Sequence, residues 1–419
     1  MKVSGIIAEY NPFHNGHAYH LAETRKRLGS NYIIVVMSGN YVQRGAPTII
    51  DKYSRAQMAL ECGADLVLEL PVCFSSASAE YFAFGGVAIL DKLGVVDNIC
   101  FGTETMDNFD DGQAVLVEEF SVIADLLLNE PDEYKAILKE GMKNGLSNAA
   151  ARANAVEKIL GRKYLDILET SNNILAIEYI KSLKKLGSKI EPVPVARKMT
   201  AHNDTLIKTG YSSATAIRNA VYNKYSLTSL SSTLPEPAYN ILLDRYLESF
   251  PVFRDDYSLI VGNELLKAEN TQDLSKYFGI GEDLANRMLK YKNEYRSFSQ
   301  FRELIYAKNI TKATAGRALL HIALGITDKD MEKIYDPENL KAVKILGFRR
   351  EAEPLLSMIK KNSPISLVSK LADYKAAPDP GCTDIIEQTT KADMLYRMVC
   401  MNKFDKYIKN PFEKEVIIV

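Results

Sequence analysis

The stretch "GIIAEYNPFHNGH", residues 5–17, changes its character within a short span. It begins as an apolar run with β-branched residues, passes through a turn that contains proline, and leads into a segment typical of a helix. Gly16 lets a ligand approach the backbone without a side chain in between. The pattern predicts a strand, a turn that binds a ligand, and a helix that begins at about Asn15. Three of the five histidines of the 419-residue chain lie in this region, at His14, His17 and His20.

Short apolar runs alternate with helical patterns from residue 2 to about residue 104. Strict alternation is typical of βαβ units on a parallel sheet with helices on both faces. The run from Ile33 to Val36 is apolar throughout, as expected for a strand that is covered on both sides. We therefore predict an α/β fold with a parallel sheet, in which ligands bind beyond the carboxyl ends of the strands.

The remainder of the chain changes in composition along its length. Residues 110–186 are typical of helices, and "KIEPVPV" at 189–195 predicts one more strand of the first sheet. "SSATAIRNAVYN" predicts a helix capped by Ser212 or Ser213. The expected parts are a first domain over 1–225, a mostly helical domain over 226–345 and a small mixed C-terminal region over 346–419.

Composition excludes several classes of protein. Apolar residues make up 47% of the chain and its formal net charge is −1, so no overall charge attracts polyanions. No apolar run approaches the roughly 18 residues that span a bilayer, and no secretory signal is present, so we expect a cytoplasmic location and no membrane partner. The five scattered cysteines form no CxxC pair, and the motifs of P-loop, dinucleotide-binding, zinc-peptidase and serine-hydrolase proteins are absent.

The histidine turn has the properties of an anion site. Free N–H groups and the positive end of the helix dipole attract negative charge at a helix start. His14 and His17 can donate hydrogen bonds to phosphoryl oxygens, whose charge grows when the α-phosphate of a nucleotide is attacked. The alternative is that they are ordinary histidines exposed at a helix start, and for His20 a place in the core is the simpler interpretation.

The tetrad HNGH at 14–17 resembles the HxGH signature of the nucleotidyltransferase superfamily. That superfamily shares a Rossmann-like domain with class I aminoacyl-tRNA synthetases and transfers a nucleotide with loss of pyrophosphate. The resemblance implies a Rossmann-like catalytic domain here, with His14 and His17 as catalytic residues at the α-phosphate.

A second signature of the superfamily, an ISSTxxR-like helix start, is similar to "YSSATAIR" at 211–218. Thr215 and Arg218 keep the spacing of that signature, whereas Ala214 replaces its second serine. The resemblance implies that Arg218 is catalytic and binds the β- and γ-phosphates, which suits a bidentate guanidinium. The role of Ser213 stays open because of the replacement.

A longer set of segments is similar to one family within the superfamily. The segments are EYNPFHNGH, the whole of residues 37–86, FGTE at 101–104, SNNILAIEY at 171–179 and VPVARK at 193–198. They resemble the bacterial tRNA(Met) cytidine acetate ligase family, over essentially the whole chain. The resemblance implies that ATP and acetate form acetyl-adenylate, and that the acetyl group passes to the wobble cytidine of elongator tRNA(Met) to give N4-acetylcytidine.

The same resemblance implies a set of nucleotide contacts. The positions assigned to ATP are Ile7, Ala8, Glu9, Tyr10, Asn11, Pro12, Phe13, His14, Asn15, Gly16, His17, Ala18, Tyr19, His20, Gly102, Asn172 and Arg197. Asn173 could serve in place of Asn172, and Lys198 offers a cation beside Arg197. Mg²⁺ is expected because the triphosphate must be neutralised, although no carboxylate cluster in the sequence identifies its ligands.

Two other segments are candidates for contact with substrates. "NYVQRGAP" places Gln43 and Arg44 near two glycines, which is typical either of a loop that closes over acetate or pyrophosphate or of an ordinary surface loop. Residues 274–304 resemble a helix-hairpin-helix that binds nucleic-acid phosphates, with Gly279 and Gly281 in the hairpin. The basic residues that follow this hairpin are Lys290, Lys292 and Arg296.

Two other functions remain open at the level of the sequence. One is a small-molecule adenylyltransferase that acts on a phosphate monoester, although the roughly 190 residues after the first domain exceed what such an enzyme needs. The other is a non-catalytic tRNA-binding protein that holds a nucleotide. The oligomeric state is not encoded by any pattern in the chain.

Overall fold

The computed structural model describes residues 1–104, 113–196, 210–374 and 380–419, with the backbone alone for residues 373 and 380–384. Within these residues the strands are β1 (Val3–Ala8), β2 (Tyr32–Ser38), β3 (Tyr41–Val42), β4 (Ala46–Pro47), β5 (Leu66–Leu70), β6 (Asn98–Thr103), β7 (Glu191–Ala196), β8 (Ala342–Phe348), β9 (Ser366–Val368) and β10 (Ile417–Ile418).

A parallel sheet forms the centre of the fold, with the strand order β7-β6-β1-β2-β5. The first strand lies in the middle, where Val3 is beside Tyr32 of β2 and Ser4 is beside Asn98 of β6. Strand β7 is the one expected at "KIEPVPV". The predicted α/β fold with a parallel sheet is therefore confirmed.

Helices cover both faces of this sheet. Those before residue 225 are α1 (Asn15–Leu28), α2 (Lys52–Glu61), α3 (Val72–Ser75), α4 (Ala79–Lys92), α5 (Gln113–Asn129), α6 (Asp132–Lys143), α7 (Asn148–Leu160), α8 (Arg162–Ile167), α9 (Ser171–Leu186) and α10 (Ala214–Tyr222). Ile33 and Val35 belong to one apolar core with residues of α2 and α10, whereas Ile34 and Val36 belong to the other with residues of α4 and α9. Because successive side chains of a strand point to opposite faces, a continuous apolar run serves two cores at once.

The chain after α10 is helical up to residue 334. Its helices are α11 (Glu236–Arg245), α12 (Ser258–Lys267), α13 (Thr271–Ser275), α14 (Glu282–Tyr291), α15 (Phe298–Ile305), α16 (Lys312–Leu324) and α17 (Asp328–Ile334). The hairpin expected at Gly279 and Gly281 is the turn between α13 and α14, and Gly279 has a φ of +77° there. A nucleic-acid role for this hairpin stays a prediction. No described helix is both long enough and apolar enough to cross a membrane.

The last part of the chain returns to the first sheet. Strand β8 pairs antiparallel with β5, so that Phe348 lies beside Leu66, and Ile417 of β10 pairs with Gly347. Strand β10 lies within "EVIIV", residues 415–419. The helices here are α18 (Glu353–Asn362), α19 (Leu371–Tyr374) and α20 (Pro380–Phe404). The expected boundary between residues 345 and 346 falls inside β8, and the division into domains stays a prediction.

Candidate functional site

A cavity of about 260 Å³ lies at the carboxyl ends of β1, β6 and β7. This is the edge at which an open α/β sheet binds ligands. The residues assigned to ATP that line it are Ile7, Ala8, Glu9, Tyr10, Asn11, His14, Gly16, His17, Tyr19, His20, Gly102 and Asn172. Arg218 lines the same cavity, so residues from both ends of the first 225 positions meet there.

Four other positions of the expected ATP loop do not line the cavity but shape the loop; they are Pro12, Phe13, Asn15 and Ala18. The Phe13 ring is fully buried and packs edge-on against Tyr10, with 4.8 Å between ring centroids. The Asn15 amide donates to the carbonyl oxygens of Gly210, at 2.6 Å, and Ser232, at 3.0 Å. Arg197 and Lys198 lie outside the described residues.

His14 and His17 form a stacked pair at the start of α1. His14 is the N-cap, and its Nδ1 accepts a hydrogen bond from the Gly16 N–H at 3.0 Å. His17 Nδ1 accepts from the His14 N–H at 3.2 Å, so the two imidazoles form a reciprocal capping box. Their ring centroids are 3.7 Å apart. The helix begins at Asn15, as predicted.

This cap determines which ring nitrogen carries the proton. A neutral imidazole has one donor nitrogen and one acceptor nitrogen. Because Nδ1 accepts a backbone N–H in both His14 and His17, each neutral ring carries its proton on Nε2. Local capping thus gives the cavity two imidazole donors with the same tautomer.

Helix α10 brings Arg218 to the cavity. Ser213 is its N-cap and accepts from the Ala216 N–H at 3.0 Å, so Ser213 rather than Ser212 caps this helix. The Arg218 guanidinium donates to the Asn11 carbonyl oxygen at 2.7 Å and to Thr215 Oγ1 at 3.0 Å. Burial lowers the pKa of Arg218 to about 10, which leaves it protonated at neutral pH.

Of two neighbouring asparagines at the start of α9, Asn172 lines the cavity. Its amide donates to Glu104 Oε1 at 2.5 Å. Asn173 is buried instead, where it accepts from Thr103 Oγ1 at 2.9 Å and donates to the Ile167 carbonyl oxygen at 3.0 Å. Asn173 thus joins α9 to β6, whereas Asn172 lines the cavity.

Glu9 is the one carboxylate among the described residues that line the cavity. Its Oε1 accepts from the Gln43 N–H at 3.0 Å. Burial raises the pKa of Glu9, while that hydrogen bond and the charges of Arg218 and Arg44 act in the opposite direction. Among the described residues, no group of three or more His, Cys, Asp or Glu side chains is arranged to hold a metal ion.

Arg55 holds the backbone next to the cavity in place, a role that sequence patterns alone did not predict. It is fully buried on α2. Its guanidinium donates to the Glu9 carbonyl oxygen at 2.6 Å, to the Ser38 carbonyl oxygen at 3.0 Å and to the Gly39 carbonyl oxygen. It therefore ties together the ends of β1 and β2. No residue pattern in α2 marks this role, because the helix contains several other polar residues and the acceptors of Arg55 are backbone carbonyl oxygens.

The segment "NYVQRGAP" is a hairpin of β3 and β4 that is held on both sides. An added Cβ at Gly45, whose φ is +64°, would stand 2.2 Å from the Arg317 backbone nitrogen, so the turn lies directly against α16. At the other end the Asn40 amide donates to Asp393 Oδ1 of α20 at 2.9 Å. These contacts fix the hairpin at the edge of the cavity.

Asp393 also belongs to a buried ion cluster beneath the hairpin. The Lys52 ammonium pairs with Glu69 Oε1 at 2.5 Å and with Asp393 Oδ2. Each of the three side chains is at most 5% exposed. Two carboxylates raise the pKa of Lys52 against the opposing effect of its burial, so the ammonium stays charged. Helix α20 is thereby joined to α2 and β5.

The fold and the site define a nucleotidyltransferase of the HxGH type. A family model described as HIGH Nucleotidyl Transferase matches residues 1–410. The tRNA(Met) cytidine acetate ligase of Acetivibrio thermocellus is 38% identical over 425 residues, which is 100% of both chains. A protein of the same description from Thermoanaerobacter sp. is 39% identical over 377 residues, covering 90% of each chain.

Two solved structures of a relative have the same fold as this chain. The crystal structure of Thermotoga maritima TmcAL in its apo form I has a TM-score of 0.91 and 33% identity, and the alignment covers 100% of each chain. Form II of that protein, bound with α-thio ATP, has a TM-score of 0.89 and 32% identity over the same coverage. The chain belongs to the tRNA(Met) cytidine acetate ligase family of HIGH nucleotidyl transferases. The family inferred from the sequence motifs is confirmed.

Proposed function

We propose that this protein activates acetate with ATP and transfers the acetyl group to N4 of the wobble cytidine of elongator tRNA(Met). Membership of the family supports the overall reaction. The stacked pair of His14 and His17, with both Nδ1 atoms engaged by the backbone, is the observation that supports adenylation in this cavity. The α-thio ATP complex of the Thermotoga relative supports ATP as the nucleotide.

In the first step an acetate oxygen attacks the α-phosphorus, and the bond from that phosphorus to the pyrophosphate oxygen breaks. The Nε2–H groups of His14 and His17 donate to the non-bridging oxygens of the α-phosphate, whose negative charge increases in the transition state. The protonated Arg218 attracts the leaving pyrophosphate. Because the capping box orients both rings before the nucleotide arrives, little reorganisation is needed during the reaction.

In the second step the N4 nitrogen of cytidine attacks the acetyl carbon. The bond between that carbon and the AMP oxygen breaks, and one amine proton is released. The products are N4-acetylcytidine and AMP. A tRNA substrate agrees with the expected cytoplasmic location.

Mg²⁺ belongs to the proposal because it neutralises the triphosphate and so lowers the barrier to attack on it. Of the described residues that line the cavity, Glu9 alone offers a carboxylate. Phosphate oxygens and water would therefore supply most of the ligands, as is usual for this ion.

The test is exchange of labelled pyrophosphate into ATP, with acetate as the carboxylate and formate or propionate as comparisons. We expect exchange to depend on acetate. His17→Ala should lower its rate about 10² to 10³-fold, the scale of removing one preorganised donor to the transition state. Lys26→Ala, at the exposed far end of the same helix, is the matched control and should leave the rate unchanged.

Exchange by His17→Ala within threefold of wild type would remove His17 from the mechanism. Adenylation of a phosphate monoester in place of any carboxylate would identify a small-molecule adenylyltransferase. Bound ATP without pyrophosphate release, with every carboxylate and with bulk tRNA, would identify a binding protein. Detection of acetylated cytidine in digested tRNA by mass spectrometry completes the test of the second step.

A further inference from the structure

A second cavity, of about 600 Å³, adjoins the nucleotide cavity. The two share Glu9, Gln43, Arg44 and Arg218 as lining residues. We call the second cavity the basic crevice, after six cations that line it: Arg44, Arg218, Arg254, Arg302, Lys312 and Arg317. Glu9 is the single acidic side chain among its described lining residues. Glu303 pairs with both Arg302 and Lys312, at 2.6 Å in each case, and the crevice still has an excess of positive charge although the chain as a whole has almost none.

Several of these cations have weak partners within the described chain. Arg254 donates to the carbonyl oxygens of Gly45 and Arg44, at 3.3 Å in both cases. Arg317 donates to the Gln43 carbonyl oxygen and to Thr314 Oγ1, both at 3.4 Å. Bonds of this length are near the limit for an N–H donor. Burial lowers the pKa of Arg254 to about 9, and the neighbouring cations Arg302, Arg218 and Arg44 act in the same direction.

Two buried donors on the crevice have no hydrogen-bond partner among the described residues. They are Arg302 Nε and Gln43 Nε2. The Arg302 Nη2 pairs with Glu303 at 2.6 Å, so its guanidinium is only partly satisfied. A buried donor without an acceptor loses its hydrogen bond to water and gains none in return. Since both unsatisfied atoms are donors amid positive charge, the ligand that fits them is an anion with several oxygen atoms.

Phosphate is the anion chemistry that matches, and it has two sources in the proposed reaction: the triphosphate of ATP and the backbone of RNA. The nucleotide already has its own cavity beside His14 and His17. The crevice adds an aromatic surface at its rim, where Tyr222 is 59% exposed and packs edge-on against Phe253 with 5.2 Å between ring centroids. Exposed aromatic rings beside cations are typical of sites for unstacked RNA bases.

We propose that the basic crevice binds the phosphodiester backbone on either side of the target nucleotide and directs its base past Gln43 into the nucleotide cavity. This inference rests on the proposed function, because it concerns the second substrate of the same site. The residues that would contact RNA all belong to the helical part of the chain; they are Arg254, Arg302, Lys312 and Arg317. The shared wall formed by Glu9 and Gln43 is then the meeting point of acetyl-adenylate and the cytidine amine.

The test compares two double variants in the full-length protein. Arg302→Gln with Lys312→Gln removes two charges of the crevice. Lys329→Gln with Lys333→Gln removes two exposed charges of α17, in the same helical region but outside the hairpin of α13 and α14. The probe is a fluorescein-labelled anticodon stem-loop of elongator tRNA(Met), and the readouts are its fluorescence anisotropy and the acetate-dependent pyrophosphate exchange without RNA.

The crevice variant should bind the stem-loop at least about tenfold more weakly, since one charged hydrogen bond is worth roughly that factor. The slope of log affinity against log salt should fall by about 0.7 for each phosphate that the variant no longer neutralises. Exchange without RNA should stay within twofold of wild type, and the Lys329 and Lys333 variant should bind normally. Lys312→Glu repeats the test at a side chain that is 55% exposed; because it also breaks the ion pair with Glu303, circular dichroism checks that this variant is folded.

Unchanged affinity of the crevice variant would overturn the proposal, and so would an equal loss in both double variants. A raised KM for ATP with normal RNA affinity would assign the crevice to the triphosphate instead. Failure of the proposed function is distinguishable, since it appears as absence of acetate-dependent exchange in the wild type, whatever the RNA affinities are.

Discussion

His321 makes the stability of the protein depend on pH in a way that can be measured. It lies on α16, is 1% exposed, and contacts Ser76 in the segment between α3 and α4. Its Nδ1 is 2.8 Å from the Phe278 carbonyl oxygen, and its Nε2 is 3.2 Å from Ser76 Oγ. Burial lowers the pKa of His321 from 6.5 to about 4. The hydrogen bonds to the Phe278 and Ser76 carbonyl oxygens act in the opposite direction on this pKa, whereas Arg317, one turn earlier on the same helix, acts in the same direction as burial.

The sign of the effect follows from proton linkage. The unfolded chain takes up a proton near pH 6.5, whereas the folded chain keeps His321 neutral down to about pH 4. The stabilisation is therefore complete above pH 6.5 and decreases as the pH falls toward 4. Between pH 7.5 and pH 5 the linkage relation gives a loss of about 2 kcal/mol in the free energy of unfolding.

Urea unfolding followed by circular dichroism at pH 7.5 and pH 5.0 tests this value in wild type and His321→Gln. Other groups titrate equally in both proteins, so the difference between their pH-dependent losses isolates the histidine. We expect wild type to lose about 2 kcal/mol more than the variant. Losses that agree within about 0.5 kcal/mol would refute the conclusion that His321 is buried in its neutral form.

Two further predictions concern the hairpin at the cavity. Asp393→Asn removes one of two carboxylates around the buried Lys52, so the free energy of unfolding should fall by about 3 kcal/mol. Urea titrations measure this loss, and Lys391→Gln, at an exposed position of the same helix, is the control. Gly45→Ala should cost at least about 2 kcal/mol more than Gly29→Ala, because both glycines have φ near +60° and only the first would place its Cβ against α16. Equal thermal shifts for the two alanine variants would contradict the close approach.

Short-range patterns determined much of the fold and the centre of the site. The apolar run from Ile33 to Val36 indicated a strand buried on two faces, and it serves two cores. The turn before Asn15 indicated a helix start with two histidines, and the capping box forms there. These features depend on neighbours within a few residues, so the chain carries their information locally.

Contacts between distant segments decided the rest. The sequence did not decide whether Asn172 or Asn173 lies at the nucleotide cavity. In the structure Asn173 is buried against β6, whereas Asn172 lines the cavity. Arg55 gave no sign of holding the ends of β1 and β2 together, because its acceptors are backbone carbonyl oxygens that any sequence possesses.

The basic crevice is the clearest example of a feature that sequence patterns did not predict. Arg44, Arg254 and Arg302 lie far apart in a chain of net charge −1, and no sequence spacing predicts that they line one cavity. The sequence by itself determined a nucleotidyltransferase sheet whose first helix begins at a histidine cap. Only the tertiary structure decided which cations gather beside that cap, because packing of the helical region against one hairpin turn brings them there.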